Sequence, residues 1–255
     1  MDDPTAYNDS NRAFVQAFLA RGTLTYTSSK PILAAIFTVH EGREILPNDI
    51  TEADFRSYIS AANLALSPLD LEIRSAFHQR SRERVYALIN TSSDALTQMA
   101  TTHSAEEMAF VKRVLDWMFE GPGNTSRSEA LCISATEAVN LAKSSGGRRE
   151  TQTGNTQGGS SSQGLSMREA EGMMGRLVEE EWFEKSGKGF YSLSPRALME
   201  LRGWLVESYN DLEEERDGGD TASKIKFCQA CKEIVTVVSR DATAECVEYS
   251  TAHMF

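Results

Sequence analysis

The sequence predicts a mainly α-helical chain with β-hairpins, organised as two consecutive winged helices and followed by an incomplete zinc module. Three observations carry that expectation. An order of three helix-like segments and a hairpin occurs twice. A Cys-x-x-Cys pair stands near the C-terminus with few further metal ligands. Finally, 255 residues with 40% hydrophobic content can bury cores for one to two domains plus a tail.

In the first half, Phe14, Ala17 and Phe18 recur at helical spacing after the capping candidates Asp9 and Ser10. Ser28 or Ser29 is expected to cap a second helix with Pro31 in its first turn, and Ile32, Leu33, Ile36 and Phe37 form its apolar face. Thr51 with Asp54 resembles a capping box for a third, on which Phe55, Tyr58, Ile59, Ala62 and Leu66 share a stripe. The period then changes. Leu71, Ile73, Ser75 and Phe77 alternate with Glu72, Arg74, Ala76 and His78, as in a half-buried strand. An arginine-rich turn from Gln79 to Arg84 leads into a second strand, Val85 to Ile89.

The second half repeats the order. Ser104 with Glu107 opens a helix whose buried face is Phe110, Val111, Val114, Leu115 and Met118. Ser134 with Glu137 opens a shorter one through Ala138, Val139 and Leu141, and Ser166 with Glu169 opens a third with Met173, Met174, Leu177 and Val178. Adjacent Met173 and Met174 cannot both point fully inward on a narrow face. Trp182 and Phe183, then Phe190, Tyr191 and Leu193, flank the turn Lys185 to Gly189 and read as the apolar side of a hairpin. Ser194 and Pro195 begin a closing helix on which Leu198, Leu201, Leu205 and Tyr209 share a face.

These patterns place a first winged helix at residues 1–100 and a second at 101–210. An insertion at 144–164, dominated by Gly, Ser, Thr and Gln, cannot offset its ordering entropy and is expected to be disordered. Residues 211–223 read as an acidic linker, and 224–255 as the start of a zinc module with a divergent tail.

Charge and motifs narrow the function. The net charge of −11 disfavours a chain that grips nucleic acid unaided. Residues 165–220 hold 14 acids against 7 bases, whereas residues 71–90 hold four arginines against two glutamates. Arg80, Arg82 and Arg84 are therefore the candidate DNA contacts, the alternative being a solvated hairpin tip. The third helix of the second unit carries Glu169, Glu171, Glu179, Glu180 and Glu181 against Arg168 and Arg176, which makes it a poor groove reader. No segment reaches the roughly 20 apolar residues of a membrane span, and the acidic Met1-Asp2-Asp3 start is unlike a signal peptide, so an intracellular address is expected. Cys132 reads as a small buried residue, and His40, His78 and His103 have no partners in sequence that suggest chemistry. No phosphate loop, nucleophile elbow or His-Glu-x-x-His motif occurs, so no catalytic residue is assigned.

Cys228 and Cys231 have the spacing with which two thiolates meet one tetrahedral zinc ion. Cys246 and His253 follow at spacings that fit no zinc pattern. Zinc contributes roughly 10 to 16 kcal/mol to such modules, so half a ligand set is expected to leave this tail unfolded. A redox or surface thiol pair is the other reading.

Leu177 to Phe183 and Gly189 to Leu201 resemble the second wing of the non-SMC element 1 family, in a fungal form, and Phe227-Cys228-x-x-Cys231-Lys232-Glu233-Ile234-Val235-Thr236 is similar to the opening of that family's RING. The resemblance implies tandem winged-helix domains followed by an incomplete RING-like zinc module. For function it implies a nuclear, chromosome-associated subunit of the SMC five-six complex in DNA repair and recombination. The implied partners are a MAGE-type non-SMC subunit, a kleisin subunit, DNA through the assembled complex and, for a complete RING, a ubiquitin-conjugating enzyme; no membrane is implied. The family's RING-type ubiquitin-protein ligase activity needs ligands that this chain lacks after Cys231, so the enzyme assignment rests on the resemblance alone. The divergent ending from Val238 resembles the product of a retained intron or shifted frame. A DNA-binding winged-helix regulator without ligase activity, and a structural subunit that has lost it, are the alternatives.

Overall fold

The computed structural model describes residues 7–91, 95–121, 131–143, 164–210, 224–228 and 231–236. They are mainly helical with two three-stranded antiparallel sheets. They form two compact units: the chain up to Ala95 together with Ser194–Gly203, and Leu96–Leu193 with the chain from Trp204 onward. The expected insertion at 144–164, except residue 164, the linker at 211–223 and the tail from 237 lie outside the described residues.

The first unit runs α1 (Asp9–Arg21), β1 (Thr23–Thr25), α2 (Tyr26–Glu41), α3 (Glu52–Leu66), β2 (Leu71–Phe77) and β3 (Arg84–Asn90). Its caps differ in part from expectation. Asn8, not Asp9 or Ser10, caps α1, since the Ser10 amide donates to Asn8 Oδ1 (2.9 Å) and the Asn8 amide to Asn11 Oδ1 (3.0 Å). Thr25, not Ser28 or Ser29, caps α2. The Thr25 amide donates to Ser28 Oγ (2.8 Å) and the Ser28 amide to Thr25 Oγ1 (3.1 Å), so the helix starts earlier and Pro31 lies inside it. Thr51 and Asp54 form the expected box on α3.

Phe14, Phe18, Leu24, Leu33, Phe55, Ala62 and Ile73 fill the core, with Phe14 meeting Phe18, Phe55 and Tyr58 edge to face. The Asn63 side chain pins β2 to α3, accepting from the Ile73 amide (2.7 Å) and donating to the Ile73 carbonyl (3.1 Å). The sheet order is β1-β3-β2. β1 is too short to show a period in sequence. Ile73, opposite Leu88, belongs to the helix-side core, while Ala76, Ala87 and Ile89 lie on the other face.

In the second unit, α4 (Ala95–Thr102) precedes α5 (Ala105–Phe119), β4 (Cys132–Ser134), α6 (Ala135–Asn140), α7 (Met167–Glu179), β5 (Phe183–Lys185) and β6 (Phe190–Leu193). Ser104/Glu107, Ser134/Glu137 and Ser166/Glu169 are the expected capping boxes. Both Met173 and Met174 are buried, contrary to the expectation of at most one. The reason is that α7 packs on α5, α6 and β5 together, which widens its covered arc to Ala170, Met173, Met174 and Leu177. The Arg113 guanidinium donates to the carbonyls of Leu141 (2.9 Å) and Ala142 (3.2 Å), joining α5 to the end of α6, and burial lowers its pKa. The second sheet is ordered β4-β6-β5, again with a short strand beside a hairpin. Gly189 takes φ 81 in its turn, a conformation that favours glycine.

The expected closing helix is divided at Leu201 into α8 (Pro195–Glu200) and α9 (Arg202–Tyr209). α8 packs on β2 and β3 in the first unit, where Met199 covers Ala87 and Ile89. Tyr209 instead stacks on Phe119 in the second unit, centroids 4.8 Å apart, and donates to Asp116 Oδ1 (2.8 Å).

Candidate functional site

The arginine turn joins β2 to β3 in register, with Phe77 opposite Arg84. The His78 amide donates to the Glu83 carbonyl (2.9 Å) and the Arg82 amide to the His78 carbonyl (2.8 Å). The Ser81 amide donates to His78 Nδ1 (3.0 Å). Arg82 completes the turn at φ 59. Arg80, Arg82 and Arg84 are all exposed and project from this one end of the sheet. The Arg84 guanidinium lies over the Phe77 ring, 4.5 Å from its centroid, and Phe77 is 46% exposed. Arg74 pairs with Glu72 at 2.8 Å on the hairpin's other face. The turn therefore presents positive charge together with an exposed aromatic ring. In sequence Phe77 reads only as the last apolar residue of an alternating strand, and its place opposite Arg84 comes from the strand register.

The cysteine pair lies in a second small hairpin. Phe227 and Ile234 form an antiparallel bridge, the Cys228 amide donates to the Glu233 carbonyl (2.8 Å), and the Lys232 amide donates to the Cys228 carbonyl (2.9 Å). Lys232 sits at φ 60 just after Cys231. Ile225 and Ile234 are buried. The expectation that this stretch is unfolded is therefore corrected for residues 224–228 and 231–236, which carry these bonds and two buried isoleucines. The Ile225 amide donates to Asn210 Oδ1 (2.9 Å), Asn210 Nδ2 donates to the Ile225 carbonyl (3.2 Å), and Lys224 Nζ lies 3.0 Å from Glu120 Oε1.

A closed zinc site takes four ligands. Among the described residues no group of three or more His, Cys, Asp or Glu side chains is placed to hold a metal ion, and Cys228 and Cys231 supply two candidate thiols. Cys246 and His253 lie outside the described residues.

Two further polar clusters stand outside these hairpins. His103, with its side chain 3% exposed, has Nε2 3.0 Å from Glu180 Oε2 and Nδ1 3.8 Å from Glu107 Oε2, and Glu107 also pairs with Arg176. This tether holds α7 to the start of α5. On α8, Arg196 Nε lies 3.5 Å from Glu200 Oε2. Burial raises the Glu200 pKa, against the lowering effects of Arg196 and the Asn90 amide. The outer side of α7 exposes Glu169, Glu171 and Glu179 beside Arg168 and Arg176.

Together these features define a mainly helical protein of two helix-and-sheet units, with an arginine-rich turn in the first and, among the described residues, no group of three or more side chains placed to hold a metal. A family model described as the Nse1 non-SMC component of SMC5-6 complex matches residues 11–201, and the chain belongs to that family. It is similar to the non-structural maintenance of chromosomes element 1 homolog of Rattus norvegicus, with 22% identity over 231 residues, covering 90% of this chain and 71% of the relative. The Homo sapiens homolog is also 22% identical, over 228 residues, covering 89% and 70%. A chain of a solved Nse1-Nse3-Nse4 complex shares the fold, with a TM-score of 0.65 and 18% identity, covering 93% of this chain and 84% of that chain. No described helix is long and apolar enough to cross a membrane.

Proposed function

We propose that the chain is a nuclear, chromosome-associated docking subunit in DNA repair and recombination, whose two units are winged helices that bind a MAGE-type subunit and a kleisin. The observation that carries this reading is the repeated element order, helix, strand, two helices and hairpin, within the stretch matched by the family model. The similar solved complex joins Nse1 to Nse3 and Nse4, which supports the choice of partners. The acidic outer side of α7 favours protein docking over a free-standing DNA regulator, because a helix dominated by carboxylates repels phosphates in a groove.

Ubiquitin-ligase activity is impaired in this reading. A RING acts as a docking platform shaped by zinc ligands, and Cys228 and Cys231 are half of one ligand set. DNA is contacted through the assembly, with Arg80, Arg82 and Arg84 lying along phosphates. Co-expression with a MAGE-type subunit tests the proposal: a stoichiometric complex on gel filtration is expected, whereas a monomer that shifts DNA alone supports the regulator. In the assembled trimer, replacing the three arginines with alanine is expected to lower duplex affinity and flatten its salt dependence by about 0.9 logarithmic units for each phosphate no longer neutralised. An unchanged isotherm removes those arginines from the interface.

A further inference from the structure

We propose that Phe77 and Arg84 form a stacking platform for unpaired nucleobases, so that the β2–β3 turn takes single-stranded nucleic acid in preference to duplex. The inference rests on the reading of this turn as a nucleic-acid contact, keeps Arg80 and Arg82 on phosphates, and gives Arg84 to an unpaired base. Phe77 shares the strand face of Ile73, which is 4% exposed in the core, yet it is itself 46% exposed. An aromatic side chain thus stands half-exposed at the end of a strand face whose Ile73 is buried. Arg84, directly opposite, holds its guanidinium 4.5 Å from the ring centroid. Aromatic rings and planar guanidinium groups are the two protein surfaces on which bases stack, and here they come preassembled as one unit.

The surroundings fit the backbone that follows such a base. Exposed Arg80 and Arg82 belong to the same turn, and the three bonds centred on His78 fix its course, so presenting them requires little ordering on binding. Glu72 and Glu83 are the acids of this hairpin, and Glu72 is engaged by Arg74. A chain of net charge −11 also repels a duplex more strongly than a single strand of lower charge density. Paired bases are hidden inside a duplex, so a stacking platform discriminates between the two forms.

The test uses the chain assembled with its MAGE-type and kleisin subunits at low salt, with fluorescence anisotropy of an oligothymidylate of about 15 nucleotides and of a duplex of the same length. Phe77→Leu keeps an apolar side chain at a half-exposed position while removing the ring, and a melting curve checks its fold. It is expected to weaken oligothymidylate binding by about fivefold or more, the loss of one stacked base, and to leave duplex binding within about twofold. A strand carrying 5-iododeoxyuridine is expected to crosslink to the peptide containing Phe77 and not to the variant. Failure of the parent assembly to bind oligothymidylate, or equal losses on both ligands, or no loss on either, overturns the proposal. The double variant Arg80→Ala, Arg82→Ala separates the two readings. If it weakens both ligands while Phe77→Leu weakens neither, the basic turn stands and the platform falls. If it weakens neither, the basic turn itself is refuted.

Discussion

Glu200 shows how one residue records the cost of its place. Its side chain is 3% exposed beside Arg196, and burial outweighs the arginine in raising its pKa. A carboxyl whose folded pKa is raised contributes stability that is fully present below its unfolded pKa and is lost as pH rises through the folded value. Glutamine does not titrate. The melting temperature of Glu200→Gln minus that of the parent chain should therefore become more positive between about pH 4 and about pH 8. A difference that stays flat would mean that Glu200 is solvated in the folded chain. Glu169 shows the opposite sign: the Ser166 backbone and side-chain hydrogen bonds hold its pKa low, so its contribution is present above the unfolded pKa and is lost as pH falls.

At the scale of elements, caps decide where helices begin, and they were the most legible feature. Ser104/Glu107, Ser134/Glu137 and Ser166/Glu169 could be read from residue type and spacing, because a capping box is local chemistry. Ser166→Ala should cost about 1 kcal/mol, lowering the transition of this unit by about 2–4 °C, and a melting curve unmoved by the change would show that packing alone sets the start of α7. The strands β1 and β4 were not legible, since three residues show no period and their pairing with β3 and β6 is long-range. The break at Leu201 was hidden for a related reason. Leu198, Leu201, Leu205 and Tyr209 suit one helical face, and only the separate neighbours of Met199 and Tyr209 reveal two helices. On β2 and β3, Ala76 and Ala87 were the overlooked hint that the second face is covered. At the candidate site, the arginines were visible as a cluster, but the Phe77 and Arg84 pair needed the strand register.

For the whole molecule, the decisive question is whether metal or protein holds the residues beyond the matched stretch. The family model ends at residue 201, and the cysteine hairpin begins at Lys224. Two thiols are half of a closed zinc site, whereas Asn210 holds Ile225 through two hydrogen bonds and Ile225 and Ile234 are buried. If these protein groups suffice, removing metal costs the fold nothing. The full chain purified from zinc-supplemented medium should then carry well below one zinc per chain, and a chelator should shift its melting temperature by less than about 1 °C, against the roughly 10 to 16 kcal/mol that a structural zinc contributes. Asn210→Ala, by contrast, should expose the hairpin to limited proteolysis, because it removes both bonds to Ile225. One zinc held per chain, with a drop of several degrees on chelation, would mean that metal holds the hairpin and would direct the search for the missing ligands to Cys246 and His253.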